Sequence, residues 1–283
     1  MGTWSVEERG SRTASAAGAE VAPWIATLAR VGYVAKAVLY MTIGVLAARA
    51  AFGDGGRTTD TRGALTSVLG APFGRAMLIV MALGLLGYAV WRIVQAITDP
   101  EHRGSDAKGL AMRASYVVRG LLHAGIAVTA FRLATGNGGG AGGDGERSER
   151  WTSRALEAPG GETLVWLVGA GIVAYGIYQL YRAWAAKLSR QLDLGRLSAE
   201  ASRWVIAVSR FGIGARGVVF ALIGVLLLRA ATRHDAEQAG GLADSLATLG
   251  GVGRWPLGVV ALGLVAYGIY ELVNARYRRI AAV

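Results

Sequence analysis

One pattern occurs three times in this chain and constrains it more than any other feature: a pair of arginines nineteen residues apart, with an apolar stretch between them. The segments Arg30-Val-Gly-Tyr-Val-Ala-Lys36, Arg113-Ala-Ser-Tyr-Val-Val-Arg119 and Arg210-Phe-Gly-Ile-Gly-Ala-Arg216 align. A small residue follows at the fourteenth position after each first arginine (Gly44, Ala127, Gly224) and another arginine at the nineteenth (Arg49, Arg132, Arg229). At 1.5 Å per residue, nineteen residues of α-helix measure about 28 Å, close to the ~30 Å hydrocarbon thickness of a bilayer. Both arginines of a pair therefore reach headgroups, and each pair marks the two ends of one membrane span.

A second helix follows in each copy, with its own signature: Gly84-Leu-Leu-Gly-Tyr88-Ala-Val-Trp91-Arg92, Gly171-Ile-Val-Ala-Tyr175-Gly-Ile-Tyr178-Gln179 and Gly263-Leu-Val-Ala-Tyr267-Gly-Ile-Tyr270-Glu271. Pro72, Pro159 and Gly250-Gly251 precede these helices as breakers. The pattern predicts spans over 31–48, 73–97, 114–131, 162–184, 211–228 and 254–275, all helical, because lipid leaves an open chain no other way to satisfy its backbone. The expected fold is all-α: a polytopic membrane protein of six transmembrane helices, arranged as three parallel two-helix hairpins around a pseudo-three-fold axis along the membrane normal. Its organisation reads as an N-terminal tail over 1–27, largely disordered or lying on the membrane surface, and hairpin repeats over 28–100, 111–186 and 207–280. Short Ala/Leu stretches at 63–69 and 241–246 suggest small interfacial helices, and the glycine-rich run 136–145 a flexible loop.

Composition narrows the function. Of 283 residues 53% are hydrophobic and only 17% charged, below the ~25% of soluble domains. With no cysteine, thiolate metal sites, iron–sulfur clusters and cysteine nucleophiles are excluded. The net charge of +11 resides mostly between apolar spans, so it is read as membrane topology rather than nucleic-acid binding. The side carrying both termini holds 19 of the 30 Lys and Arg, which places the termini in the cytoplasm of a plasma (inner) membrane protein by the positive-inside rule. No phosphate-cradling loop and no nucleophile–base set is visible, so no enzyme, cofactor or metal site is expected. His123 is the lone histidine within a span, whereas bis-histidine haem ligation needs two.

The triplicated Arg-x-Gly-Tyr-x-x-Lys/Arg hairpin with its Gly-x-x-x-Tyr partner helix resembles an actinobacterial membrane family known as domain of unknown function 1206. The resemblance covers about residues 28–280. It implies a six-helix bacterial membrane protein with three repeats and carries no activity or site with it. Ile213 departs from the tyrosine at the matching positions, Tyr33 and Tyr116.

The cation at the sixth position of each odd helix is the most informative candidate. Were the apolar span to begin only after it, about 18 Å would remain, too little to cross a bilayer. Lys36, Arg119 and Arg216 are therefore expected inside the terminal-side leaflet, where a cation must snorkel, pair or face a hydrated cavity. Arg92, Gln179 and Glu271, running back on the even helices, reach comparable depth one turn beyond Tyr88, Tyr175 and Tyr267. These six polar groups are read as one layer, with Glu271 paired to Arg216 from its own hairpin. Tyr40 and His123, with Phe220, follow the three odd-helix cations by one turn and offer them an aromatic face. The small residues seven apart (Ala37 with Gly44, Gly120 with Ala127, Gly217 with Gly224) form a packing stripe, assigned to odd helices lining the axis. Trp91, Tyr178, Tyr181 and Trp184 are read as an interfacial belt. Two functions follow as expectations: a scaffold or accessory subunit binding anionic lipid or a protein partner in the membrane through a basic face that includes Arg190, Arg196 and Arg203, or a channel or carrier for an anion using the cationic layer.

Overall fold

The structure, a computed structural model, describes residues 23–53, 58–99, 104–138, 142–185, 192–195 and 197–278. Among the described residues six helices are long and apolar enough to cross a membrane: α1 (Pro23–Phe52), α3 (Gly74–Thr98), α4 (Ala107–Ala134), α6 (Gly161–Ala185), α7 (Ala199–Arg233) and α9 (Arg254–Tyr277). Three shorter ones, α2 (Thr61–Leu69), α5 (Asp144–Leu156) and α8 (Leu242–Val252), connect the two spans of each repeat on the side away from the termini, called the loop side below. Among the described residues there is no strand, only an isolated bridge between Leu192 and Arg278. Each arginine pair (Arg30 and Arg49, Arg113 and Arg132, Arg210 and Arg229) lies on one continuous helix.

The helices extend past their apolar cores because the chain supplies caps there. Asp106 Oδ1 accepts from the Gly109 amide at 2.9 Å and Ser198 Oγ from the Ala201 amide at 3.2 Å, starting α4 and α7 several residues before their spans. Likewise α1 begins at Pro23, inside the segment assigned to the tail. In repeat 3 the break before the second span falls at Gly253, not at Gly250-Gly251: its φ of +153° is a conformation that other residues resist. The last two residues of the glycine-rich run and those that follow form α5, which the expectation of a flexible loop did not include; its first turn carries Asp144 and Glu146 at the positive end of the helix.

Helices of successive repeats pack along one another: α3 with α4, α6 with α7, and α9 with α1. Within repeats, α1 packs along α3 and α7 along α9, but α4 and α6 do not pack along each other. The odd helices α1, α4 and α7 likewise do not line up against one another. The small-residue stripes serve the crossings between repeats instead. A side chain at Gly44 would strike Ala261 and Val265 of α9, one at Gly120 would press on Ala89 and Ile93 of α3, and one at Gly217 or Gly224 would strike Gly176, Gly169 and Val173 of α6. With lipid as apolar as any side chain, close backbone approach is what favours one helix pair over another.

The loop-side half holds the main apolar cluster, including Leu39, Ile43, Leu78, Leu85, Ala127, Val219 and Leu264 from five spans, closed by Leu65 of α2 and Leu246 of α8. The connecting helices tie together at their N-termini. Asp60 Oδ2 accepts from the Asp144 amide at 2.7 Å, Asp144 Oδ2 accepts from the Thr61 amide at 3.3 Å, and Thr58 donates to the Ala243 carbonyl at 3.1 Å.

Candidate intramembrane polar layer

Three tyrosines at one register of the even helices organise the layer. Each faces the aromatic or histidine residue of the next repeat's odd helix: Tyr88 and His123 at 4.7 Å between ring centroids, Tyr175 and Phe220 at 5.2 Å, Tyr267 and Tyr40 at 4.7 Å. Each also lies under the cation of its own repeat's odd helix. Lys36 Nζ is 4.6 Å from the Tyr88 centroid, the Arg119 guanidinium carbon 5.9 Å from that of Tyr175, and the Arg216 carbon 5.0 Å from that of Tyr267. The negative face of each ring thus replaces part of the hydration a buried cation loses. Of the cations, only Arg216 lies over the aromatic one turn beyond it, 4.5 Å from Phe220. His123 instead donates from Nδ1 to the Arg119 carbonyl at 2.7 Å.

Glu271 does not pair with Arg216. Its Oε1 accepts from Lys36 Nζ at 2.7 Å, with side chains 1% and 5% exposed. The partner is set by packing: α9 runs along α1 of the first repeat, which brings Lys36 onto the carboxylate. Asn274 donates to Oε2 at 3.5 Å. Arg216 is held by hydroxyls, donating to Tyr40 at 3.1 Å and Tyr175 at 3.4 Å. Arg92, also buried, donates to the Tyr88 hydroxyl at 2.8 Å and to Gln95 Oε1 at 2.8 Å, and lies 5.5 Å from the Tyr116 ring of the next repeat. Gln179 is buried but turned to its own helix, accepting from Arg182 at 3.3 Å.

The contacts therefore join Lys36, Arg92, Arg119, Arg216 and Glu271 with Tyr40, Tyr88, His123, Tyr175 and Tyr267, and leave Gln179 at the edge. Among these groups stand four cations and one carboxylate. Sequence reasoning did not pick out Tyr33 and Arg278. Tyr33 packs edge-on to Tyr88 at 5.4 Å, the Arg278 guanidinium lies 5.5 Å from the Tyr33 ring, and the buried Tyr33 hydroxyl has no hydrogen-bond partner among the described residues. Arg278 follows Glu271 by two helical turns, the spacing that could have revealed it. Trp91 is buried rather than part of an interfacial belt, whereas Tyr178, Tyr181 and Trp184 are exposed. Of the basic face, Arg203 is exposed on the first turns of α7, and Arg190 and Arg196 fall outside the described residues.

The family model described as Domain of Unknown Function (DUF1206) matches three times, over residues 31–99, 114–186 and 211–278. A protein of Bacillus subtilis (strain 168) named "Uncharacterized protein YxxB" is 31% identical over 261 residues, spanning 92% of this chain and 93% of that protein. A Bacillus relative gives no support to an actinobacterial restriction of the family. No solved structure matches.

Proposed function

This chain belongs to the family Domain of Unknown Function (DUF1206), and on that premise we propose that it is a non-catalytic integral membrane protein, a scaffold or accessory subunit, that holds an anionic group such as a lipid phosphate in its intramembrane polar layer. One observation carries the reading: four cations, Lys36, Arg92, Arg119 and Arg216, share one tyrosine-linked layer that holds a single carboxylate, Glu271, and that carboxylate is taken by Lys36. Unpaired cations at membrane depth are costly, at least ~2.5 kcal/mol each near the centre. A bound anion offsets that cost, and the unpartnered Tyr33 hydroxyl supplies a further donor. The basic terminal side then faces the cytoplasm, with both termini on the inner side of the plasma membrane, and presents Arg203 and its neighbours to anionic headgroups or a protein partner.

The test is thermal stabilisation of the purified protein by short-chain phosphatidic acid against short-chain phosphatidylcholine. Stabilisation by the anionic lipid alone, reduced at least tenfold in apparent affinity by Arg119→Gln with Arg216→Gln, is the expected result. Equal responses to both lipids, or no effect of the substitutions, would count against the reading. An anion carrier is the second reading, favoured by the partial exposure of Arg119 and Arg216. The packed cluster around Leu39, Ile43, Leu85 and Leu264 on the loop side of the layer weighs against a conducting path. Anion flux into proteoliposomes that is lost on Arg119→Ala would decide for the carrier.

A further inference from the structure

We propose that the opening between α4 and α6 is a lipid site, holding one anionic phospholipid of the loop-side leaflet with its phosphate at Arg132 and Arg147.

Hairpins 1 and 3 close on glycine. A side chain at Gly32 would run into the Gly84 carbonyl and Tyr88, and one at Gly212 into the backbone of Ala266 and Tyr267. On the facing helices, Gly84 is tight against Val31 and Gly263 against Ala215. Repeat 2 has Ser115 at the position of Gly32 and Gly212, and there the hairpin stays open: Gly171, the counterpart of Gly84 and Gly263, has nothing within 4 Å. Gly125 on α4 also faces open space. Accordingly α4 and α6 are the least buried of the six spans, with 33% and 22% of their apolar windows covered against 39% to 67% for the others.

On the loop side of Gly125, where α4 borders this opening, lies a cavity of about 330 Å³ formed by α4, Gly138 and Arg147 of α5. Gly125, Val128 and Leu133 give it apolar walls, and Thr129, Arg132 and Arg147 a polar rim. Arg132 is one of the bracketing arginines and so stands at headgroup height; Gly125 lies about 10 Å deeper along α4. Arg147 donates to the Thr129 hydroxyl at 3.4 Å, which turns it toward the rim, and its carboxylate neighbour Asp144 is loose at 3.8 Å, with its other oxygen already accepting from Thr61. Two guanidiniums at the rim of an apolar slot match a phosphate with its acyl chain below, since the guanidinium fork pairs with phosphate oxygens in a bidentate manner. A transmembrane helix, ~10 Å across, would leave both guanidiniums facing apolar side chains; the bilayer offers lipid at far higher local concentration.

The experiment is native mass spectrometry of the full-length protein released from nanodiscs of phosphatidylglycerol and phosphatidylcholine. The wild type should retain one phosphatidylglycerol at this site, beyond any held by the polar layer, in preference to phosphatidylcholine, and millimolar inorganic phosphate should not displace it. Arg132→Gln with Arg147→Gln should lower that retention at least tenfold. So should Gly125→Leu with Gly171→Leu, which fill open space and leave circular dichroism and elution volume unchanged. Retention at wild-type level in both double variants, equal retention of the two lipids, or displacement by free phosphate would overturn the proposal. So would a disulfide-linked dimer or a crosslinked partner protein trapped through Gly125→Cys in this cysteine-free chain. Arg119→Gln with Arg216→Gln should leave the retained lipid in place, so the layer's anion and this lipid fail or stand separately.

Discussion

Lys36 and Glu271, 235 residues apart, form a 2.7 Å ion pair that joins the first repeat to the last. It lies within the apolar stretches of α1 and α9 where the two helices pack along each other, so the helix order set by packing brings the two charges together. Breaking a buried pair from one side leaves a charge without its partner, and that loss exceeds what the pair contributes over an apolar replacement. Glu271→Leu alone, like Lys36→Met alone, is therefore expected to destabilise the detergent-solubilised protein by about 3–5 kcal/mol. Lys36→Met combined with Glu271→Leu should recover much of the loss. Denaturant unfolding of the four-member cycle measures the coupling; additive losses would mean that the two residues act independently.

The glycines of the closed hairpins should not tolerate the serine that repeat 2 carries. Gly32→Ser and Gly212→Ser place a side chain against backbone, and each is expected to cost about 1–3 kcal/mol. Gly171→Ser, where nothing lies within 4 Å, should be close to neutral. Melting temperatures of the three variants in one detergent check the contrast, and a Gly171→Ser loss equal to the others would mean that hairpin 2 also closes.

The loop side should soften as pH rises. Burial, reinforced by the neighbouring Asp60 carboxylate, holds the Asp144 carboxyl above its ordinary value of 3.8, against the opposing hydrogen bonds from Thr61 and the pull of Arg147. A raised acid favours the folded state while protonated. Its contribution is full below 3.8, declines as pH climbs from there through the raised folded value, and is absent above it. Amide exchange at Thr61 and Asp144 should quicken across that window beyond the intrinsic pH trend. Asp144→Asn, which keeps an acceptor for the Thr61 amide, should abolish the excess.

Arg216 depends on two hydroxyls rather than on a carboxylate. Tyr40→Phe and Tyr175→Phe each remove one acceptor while keeping the ring. Within membranes such hydrogen bonds average ~0.6 kcal/mol, so each single change should lower stability slightly. The double change should weaken binding of short-chain phosphatidic acid, because Arg216 loses its orientation. Unaltered affinity in the double variant would mean that Arg216 is held by packing alone.

Much of this arrangement was legible from residues. Arg30 with Arg49, and their counterparts, lie on single helices because span length and hydropathy are local properties. Lys36, Arg119 and Arg216 fall in a layer with the even-helix tyrosines because the repeat carries the same register into each hairpin. The sequence reading still misassigned Glu271, since Arg216 in the same hairpin and Lys36 in the first repeat lie at equivalent depth, and depth alone does not say which helix rotates toward the carboxylate. It treated Trp91 as interfacial for a similar reason: a tryptophan near a span end reads alike whether it faces lipid or a neighbouring helix. The helix α5 was hidden by the glycines before it and by a polar composition that resembles a loop.

What the sequence determined by itself was the number of the spans, their helical form and their threefold repetition, because a bilayer permits an open chain one backbone solution and sets a minimum length for it. The tertiary structure alone decided that repeats join through even-to-odd crossings, that Lys36 and not Arg216 meets Glu271, and that hairpin 2 stands open at Gly171. Those outcomes depend on how rigid helices rotate and approach: hairpins 1 and 3 touch at Gly32 and Gly212, where no Cβ intervenes, while repeat 2 carries Ser115 at that position and its Gly171 faces open space.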